Sequence, residues 1–371
     1  MKKLCFVTAT RAEYGLLQWI MRDVIDSGKF IFQLIVTGGH LLKEQGYTIQ
    51  QIIDDGFEIS ASIDCQLETD SQEAIAASMG RMAERFAHVF AELKPDIIVV
   101  LGDRYELLPI CNTAFVMNIS IIHISGGDVT EGAIDDGIRN AVTMLADMHF
   151  PGHADAAKNI ERMRGSAARI WNIGEPGLDA FYRVKRMKRE ELAANLGLNV
   201  RKKWALMTYH AETKKSLEYN LQTVKNCVRA LQAIESCQIV MTYANADYGG
   251  KQINEYLEEV AEAQPCICKV VPSLGSVRYL SFMQEACLVA GNSSSGIIEA
   301  PFLGIPVVNI GGRQQGRHQC GNIIQTASDF ESISDAVHKA IRKTFSVGDA
   351  DYWGDGHAAE RFVEILDQVV N

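Results

Sequence analysis

The sequence is short of the features that mark membrane, fibrous and disordered proteins. Its 371 residues include only 8 prolines, and no apolar run approaches the roughly 18 residues that a membrane helix needs. Basic residues are also in deficit, because 36 Lys and Arg face 46 Asp and Glu and leave a formal net charge of −10. A surface of this sign repels polyanions, which argues against a nucleic acid partner. What remains is a folded chain, 47% hydrophobic and long enough for two domains.

The cysteines form neither a disulfide framework nor an evident metal site. There are 9 of them, an odd number, and most lie in apolar stretches, which favours reduced thiols and a cytoplasmic location. The tightest pair, Cys266 and Cys268, has no second Cys or His pair at zinc spacing. The first apolar segment ends at Arg11 and Glu13, too early for a secretory signal. We therefore expect no metal, no cofactor and no membrane contact.

Short β-branched runs alternate with amphipathic helical patterns along the whole sequence. In the first half the predicted strands are 4–8, 32–37, 57–63, 96–101 and 120–125, with helices over 13–27 and 71–93. In the second half they are 204–208, 238–243, 267–271, 287–290 and 306–309, with helices over 216–233, 254–263, 276–285 and 295–303. This alternation predicts an α/β fold with two Rossmann-like parallel sheets. The predicted domains are 1–177 and 178–357, facing a central cleft, and a final helix at 358–371 that packs on one of them.

Ligands of parallel sheets bind at the carboxyl ends of the strands, so the loops there carry the candidate site residues. The first strand leads to Arg11 at a helix start, which favours an anion; an Arg in a first turn is also a common surface residue, and no GxGxxG or P-loop pattern accompanies it. Four acidic residues follow the fourth and fifth strands: Asp103, Asp128, Glu131 and Asp135. Crowded carboxylates suit acid/base catalysis or bind a divalent cation. Asp135 or its neighbour Asp136 could equally cap the next helix.

The second half carries a hydroxyl-rich turn between a strand and a short helix. Three serines, 293 to 295, stand at the helix start, where hydroxyl and N–H groups bind a diphosphate well. Glu299, two helical turns or less further on, is placed to accept hydrogen bonds from both hydroxyls of a ribose. His210 follows the first strand of this half and is expected to face the same cleft, although a lone His is often structural. The turn predicts a nucleoside diphosphate as ligand.

With these motifs the chain resembles the hydrolysing UDP-N-acetylglucosamine 2-epimerases of sialic and legionaminic acid biosynthesis, which have the GT-B fold. The resemblance rests on residues 10–15, 36–40, 102–106, 126–128, 134–139, 172–177, 291–306 and 312–314. It implies that a UDP-2-acetamido sugar loses UDP by elimination across C1 and C2, and that the glycal then adds water with inversion at C2. UDP and a free sugar of the ManNAc type are the implied products.

The resemblance also implies roles for particular residues. Asp103 and Asp135 match acids assigned to catalysis, and the catalytic candidates are extended to Asp128, Glu131 and His210. The implied nucleotide site has Arg11 and His210 near the diphosphate, Ser294 and Ser295 on phosphate oxygens, Glu299 on the ribose and Arg313 closing the site. Glu106, Ser293 and Gly296, in the same motifs, complete the expected substrate-binding set. Two positions depart from the family pattern: Ser125 stands where relatives have Glu or His, and Asn140 where a His is common.

Three other functions share parts of this pattern. A GT-B glycosyltransferase would bind the same donor but needs only one base, and a non-hydrolysing epimerase would return the UDP-sugar epimer. An inactive nucleotide-sugar sensor would fit Ser125 and Asn140. The several acids of the first half, with the 102–104 and 293–295 motifs, favour the hydrolysing enzyme, expected as a homo-oligomer, a dimer or a tetramer. The sugar substituents at C4 and C6 and the choice of UDP over GDP stay open.

Overall fold

The computed structural model describes residues 1–43, 46–66, 68, 71–130, 134–245, 247–342, 345 and 349–370. The chain divides into two compact units, the first of residues 1–129, 134–182 and 352–371, and the second of residues 130–133 and 183–351. The division falls after Tyr182, whereas the sequence predicts a boundary after Gly177. Residues 178–182 stay with the first unit because Asp179, fully buried, binds the start of the last helix.

The first unit is built on a parallel sheet with strand order β3-β2-β1-β4-β5-β6. Its strands are β1 (Lys3–Thr8), β2 (Ile31–Thr37), β3 (Ala61–Ile63), β4 (Ile97–Leu101), β5 (Ser120–Ile124) and β6 (Met148–Phe150). Its helices are α1 (Arg11–Ser27), α2 (Ile49–Asp54), α3 (Gln72–Leu93), α4 (Leu107–Val116), α5 (Asp135–Leu145), α6 (Ala154–Arg164), α7 (Ala180–Arg183), which reaches the division, and the last helix α14 (Ala358–Val370). Short 3-10 turns lie at Gly38–Leu41, Pro176–Asp179 and Ala350–Trp353.

The second unit repeats the design around a parallel sheet with strand order β12-β11-β10-β7-β8-β9. Its strands are β7 (Lys203–Thr208), β8 (Cys237–Thr242), β9 (Cys268–Val271), β10 (Leu288–Gly291), β11 (Val307–Ile310) and β12 (Ile323–Thr326). Its helices are α8 (Arg189–Leu196), α9 (Leu217–Gln232), α10 (Gly250–Ala263), α11 (Gly275–Glu285), α12 (Ser294–Phe302) and α13 (Phe330–Arg342). In both sheets the first strand of the unit lies in the middle, so its following loop stands beside the loops of two neighbours.

Local sequence explains where several helices begin. Thr10 caps α1, its hydroxyl accepting from the N–H of Glu13 while the Glu13 carboxylate accepts from the N–H of Thr10. The start of the last helix is bound by Asp179, whose two carboxylate oxygens accept from the N–H groups of Ala358 and Ala359, each at 2.8 Å. The apolar face of α14 then packs on the first sheet, with the Phe362 ring 4.7 Å from that of Phe150.

Among the strands, three differ from the sequence prediction, and one of them, β6 (Met148–Phe150), was not predicted. The strand predicted over 57–63 is shorter, Ala61–Ile63, because the N–H of Phe57 closes the turn after α2 on the Ile52 carbonyl and its ring packs 6.0 Å from that of Tyr14. The edge strand β12 was not predicted, and it pairs with β11 over four residues. Its apolar run, Ile323 and Ile324, is too short to predict a strand from the sequence alone.

Candidate active site

In the first unit, one buried arginine organises the acidic loops. Arg139, on α5 and only 1% exposed, forms an ion pair with the carboxylate of Asp103. Its guanidinium also donates to the backbone carbonyl of Asp128 at 3.0 Å and lies 3.9 Å from the Asp136 carboxylate. Because β4 and β5 are neighbours, the loops that carry Asp103 and Asp128 meet at this side chain. The structure thus brings the Asp103 carboxylate and the Asp128 backbone to one cation.

Asp128 has a second partner that sequence reasoning missed. The Nε2 atom of His153 lies 3.4 Å from its carboxylate, and the ring's other nitrogen, Nδ1, accepts from the N–H of Ala156 at 3.2 Å. Since Nδ1 accepts, the proton of the neutral ring is on Nε2 and is donated to Asp128. His153 also stands at the N-cap of α6, so the same side chain starts a helix and orients a candidate acid.

The other two acids have different outcomes. Asp135 is buried and is the first residue of α5, whose N-cap is Ile134 with no side-chain capping bond. The alternative that Asp135 or Asp136 caps this helix is therefore wrong, since both residues lie inside it. Glu131 falls outside the described residues.

Ser125, which departs from the family pattern, is joined to a buried carboxylate. Its backbone adopts φ +55°, a left-handed conformation that is uncommon for a residue with a side chain. Its hydroxyl donates to Glu175 at 3.1 Å, and Glu175 is only 5% exposed. Gly152 makes the room, because a Cβ atom there would lie 1.8 Å from the Glu175 carboxylate. No spacing rule links residues fifty positions apart, so Glu175 is not among the sequence candidates.

The burial and charged neighbours of Glu106 and Arg11 could not be predicted from their motifs. Glu106 is fully buried, and its carboxylate lies 3.3 Å from the Nε atom of Arg104. Burial in the first place, and the nearby charge of Glu106 in the second, raise the pKa of Glu13 to about 8. Arg11 is the first residue of α1, where the Glu13 carboxylate already accepts from the N–H groups of Ala9 and Thr10.

In the second unit, Asn292 is the centre of the candidate nucleotide site. Its side-chain oxygen accepts from the N–H of His210 at 2.8 Å and its amide donates to the His210 carbonyl at 2.9 Å. Its own carbonyl accepts from Gln314 at 2.7 Å and from Arg313 at 3.5 Å. One fully buried amide thus ties together the loops after β7, β10 and β11. Asn292 lies within the 291–306 motif, but the sequence alone indicates no role for it.

The serine turn forms the start of the short helix α12. Gly291 has φ +129°, and a Cβ atom there would lie 1.9 Å from the Thr208 carbonyl, so only glycine fits. Ser293 caps α12 by accepting from the N–H of Ser295 at 3.4 Å, and the Ser295 hydroxyl bonds to that of Tyr279. Gly296 lets α12 lie close on Val307. Glu299 is half-buried on the same helix, about one helical turn beyond Ser295.

The loop that carries Arg313 is bound by the side chain of Glu212. The Glu212 carboxylate accepts from the N–H of Gly312 at 3.2 Å, and burial raises its pKa. Gly311, at φ +77°, has no room for a Cβ, which would lie 2.1 Å from that carboxylate. A cavity of about 630 Å³ opens beside this contact, lined also by Lys214, Lys215 and Tyr219. Arg313 itself is buried and reaches back to Asn292.

His210 has a defined tautomer. Its Nδ1 atom accepts from the N–H of Asn245 at 3.1 Å, so the proton of the neutral ring is on Nε2. A donor at this position suits the binding of an anionic group. The predicted location of His210 in the loop after the first strand of the second unit agrees with the structure, and it lies in one hydrogen-bonded set with Asn292 and Arg313.

Two parallel six-stranded sheets, one with a helix-start serine turn and the other with acids held by a buried arginine, define a nucleotide-binding α/β class of enzyme. The sequence profile of the UDP-N-acetylglucosamine 2-epimerase family matches residues 23–367. A GDP/UDP-N,N'-diacetylbacillosamine 2-epimerase (hydrolyzing) of Campylobacter jejuni is 34% identical over 93% of this chain and 88% of its own length. The chain belongs to the UDP-N-acetylglucosamine 2-epimerase family.

Further relatives agree with this assignment. A UDP-N,N'-diacetylbacillosamine 2-epimerase (hydrolyzing) of Legionella pneumophila is 29% identical, covering 98% of this chain and 95% of the relative. The solved UDP-GlcNAc 2-epimerase of Methanocaldococcus jannaschii in complex with UDP-GlcNAc and UDP has the same fold, with a TM-score of 0.82 at 18% identity over 99% of both chains.

These findings confirm three of the sequence predictions: the family, the α/β fold class and an epimerase enzyme. The roles of the individual site residues stay predictions, as do the homo-oligomer and the cytoplasmic location. Among the described residues, no helix combines the length and the apolar character that crossing a membrane requires.

Proposed function

We propose that the protein is a hydrolysing 2-epimerase that converts a UDP-2-acetamido sugar to UDP and the free C2 epimer. The observation that carries the proposal is the Asn292 network, which holds His210, the serine turn and Arg313 as one set. The hydrolysing outcome is supported by the two diacetylbacillosamine epimerases, both described as hydrolysing. They also favour a UDP-2,4-diacetamido-2,4,6-trideoxy sugar as substrate, with UDP-GlcNAc as the alternative.

The second unit binds the nucleotide in this proposal. The start of α12 and the hydroxyls of Ser294 and Ser295 face the diphosphate, to which Nε2 of His210 and the Arg313 guanidinium add donors. Glu299 accepts from the ribose hydroxyls. These donors stabilise the negative charge that grows on the diphosphate as its bond to C1 breaks.

The first unit moves the protons. A carboxylate removes the C2 proton, the C2–H electron pair forms the C1=C2 bond of the glycal, and the C1–O pair leaves with UDP. Water then adds, its hydroxyl to C1 and a proton to C2 from the opposite face. Asp103 and Asp135 are the first candidates for these two transfers. Glu175 is added to them, because Ser125 has no carboxyl of its own and is bonded to that of Glu175.

A substrate panel tests the reaction. The enzyme is incubated with UDP-GlcNAc, UDP-N,N'-diacetylbacillosamine and the matching GDP sugar, and products are identified by NMR. Free 2-epimer plus UDP is expected. A UDP-sugar epimer would indicate a non-hydrolysing enzyme, a sugar transferred to an acceptor a glycosyltransferase, and no turnover of any donor a binding protein.

The acids are tested by Asp103→Asn and Asp135→Asn. We expect each to lower turnover by about a hundredfold or more and to leave UDP affinity within a few fold, as for groups that move protons without anchoring the nucleotide. Asp335→Asn, at an exposed position on α13, is the matched control. Near-normal turnover in both variants would transfer the assignment to Asp128 and Glu175.

A further inference from the structure

A second cluster of potential ligands lies apart from the residues used above. His318 and Cys320 stand in the loop between β11 and β12, and Asp349 precedes the 3-10 turn at Ala350–Trp353. One ligand atom of each residue lies within 4.8 Å of the other two. We propose that His318, Cys320 and Asp349 form a binding site for a divalent transition-metal ion of the zinc class.

The donor set has the chemistry that such an ion selects. Imidazole nitrogen, thiolate sulfur and carboxylate oxygen are the three protein ligands of zinc, and a thiolate with a carboxylate neutralises a charge of +2. An open fourth position is left for water, since His318 and Asp349 are 33% and 42% exposed while Cys320 is buried. The exposed pair gives the ion a route in, and the buried thiol anchors it.

Existing hydrogen bonds already hold the three residues close together. His318 Nε2 is 2.7 Å from the Asp349 carboxylate, and the Cys320 thiol donates to the Asp349 carbonyl at 3.6 Å. The other carboxylate oxygen of Asp349 accepts from the N–H of Gly321 at 3.4 Å, an outer contact of the kind that orients metal ligands. From metal–ligand lengths of about 2.0 to 2.3 Å, tetrahedral ligand atoms lie roughly 3.3 to 3.6 Å apart. Small rotations of the two half-exposed side chains reach that spacing.

An ion here would join two stretches of chain that the sequence separates. Asp349 lies 29 residues beyond Cys320, so no ligand-spacing motif could reveal the site. The loop fastened to Asp349 is the one that begins with the Gly311–Arg313 turn. We therefore assign the site a structural role in the second unit, outside the proton transfers of the proposed reaction.

Cobalt(II) titration of the reduced full-length protein tests the site. We expect a thiolate-to-cobalt charge-transfer absorption that saturates at one equivalent and is displaced by zinc. Cys320→Ser should abolish the band, and His318→Ala should weaken cobalt affinity at least tenfold. Cys266→Ser, at an exposed cysteine, and His338→Ala, at an exposed histidine, are matched controls that should leave the titration unchanged.

Thermal unfolding supplies a second readout that does not depend on any variant's activity. Zinc should raise the Tm of the wild type and of Cys266→Ser, and leave that of Cys320→Ser unchanged. The proposal is overturned if the wild type shows no charge-transfer band at millimolar cobalt, or if the band survives Cys320→Ser.

Discussion

Glu299 is the residue whose predicted role depends on a single interaction, the acceptance of ribose hydroxyls. Glu299→Gln keeps the shape of the side chain and removes its charge, so the protein should stay folded. The loss of a hydrogen bond to a charged group is worth about 1.5 to 3 kcal/mol, or roughly ten- to a hundredfold in UDP affinity. Calorimetry with UDP measures it, with Glu259→Gln on the exposed face of α10 as the control. Unchanged affinity would remove Glu299 from the site.

Glu175 is the residue that could supply the carboxyl group that Ser125 lacks. Glu175→Gln still accepts the Ser125 hydroxyl but cannot take a proton, so we expect kcat to fall at least tenfold while UDP affinity is unchanged. Ser125→Ala leaves the carboxylate in place and should have a smaller effect. Glu161→Gln, on an exposed turn of α6, should behave as the wild type. If kcat of Glu175→Gln stays within two- to threefold, Glu175 only shapes the loop.

At the scale of elements, the turn from β10 into α12 depends on one glycine. Gly291→Ala would place a Cβ 1.9 Å from the Thr208 carbonyl, so β7 and the turn must separate. We expect the second unit to lose stability and UDP affinity to fall at least tenfold. Gly304→Ala is the control, because Gly304 also has a positive φ but has open space around it. It should lower the free energy of unfolding by only about 1 to 2 kcal/mol, the cost of a left-handed residue with a side chain. Equal effects of the two variants on UDP binding would contradict this account.

The helices and strands also show which sequence patterns predict structure correctly. The helix predicted over 71–93 is present as α3, and Ser71 caps it, its hydroxyl accepting from the N–H of Ala74 at 3.0 Å, because capping depends on residues three apart. The strand predicted over 57–63 was too long, since the fate of Phe57 depends on Tyr14, more than forty residues earlier. Patterns with a local cause transfer from sequence to structure, and patterns set by distant partners do not.

For the whole molecule, the buried titratable groups of the first unit predict how stability varies with pH. Burial lowers the pKa of His40 to about 3, of His123 to about 4 and of His149 to about 3, each from 6.5. Below pH 6.5 the unfolded chain therefore binds more protons, and stability falls with acidification. Glu13 acts in the opposite sense, because its pKa rises from 4.5 to about 8 and the folded state holds its proton between those values.

The two effects place the maximum of stability near pH 6.5. Each group changes the free energy of unfolding by about 1.4 kcal/mol per pH unit within its range, so three histidines against one glutamate give a net loss of about 3 kcal/mol per unit towards pH 5. Towards pH 8, Glu13 is the one of these four groups that still acts, and it lowers stability by about 1.4 kcal/mol per unit.

Urea unfolding from pH 5 to 8.5 measures both limbs. Glu13→Gln should flatten the alkaline limb. His149→Leu should reduce the acid limb, and it is the mildest of the histidine changes because Nδ1 of His149 has no hydrogen-bond partner among the described residues. A stability that keeps rising above pH 7 in the wild type would show that Glu13 is ionised in the folded protein.

The sequence by itself determined the α/β class, the succession of strands and loop motifs along the chain, and the family, because these depend on periodicity and on residues close together in sequence. It also placed His210 and the serine turn after strands, and the resemblance added Arg313. Only the tertiary structure decided that Asn292 joins those three, that Arg139 pairs with Asp103, that Glu175 lies against Ser125 and that Asp349 completes a set with His318 and Cys320. Each of these contacts joins residues far apart in sequence, and parallel strands bring such residues together only once the sheet has formed.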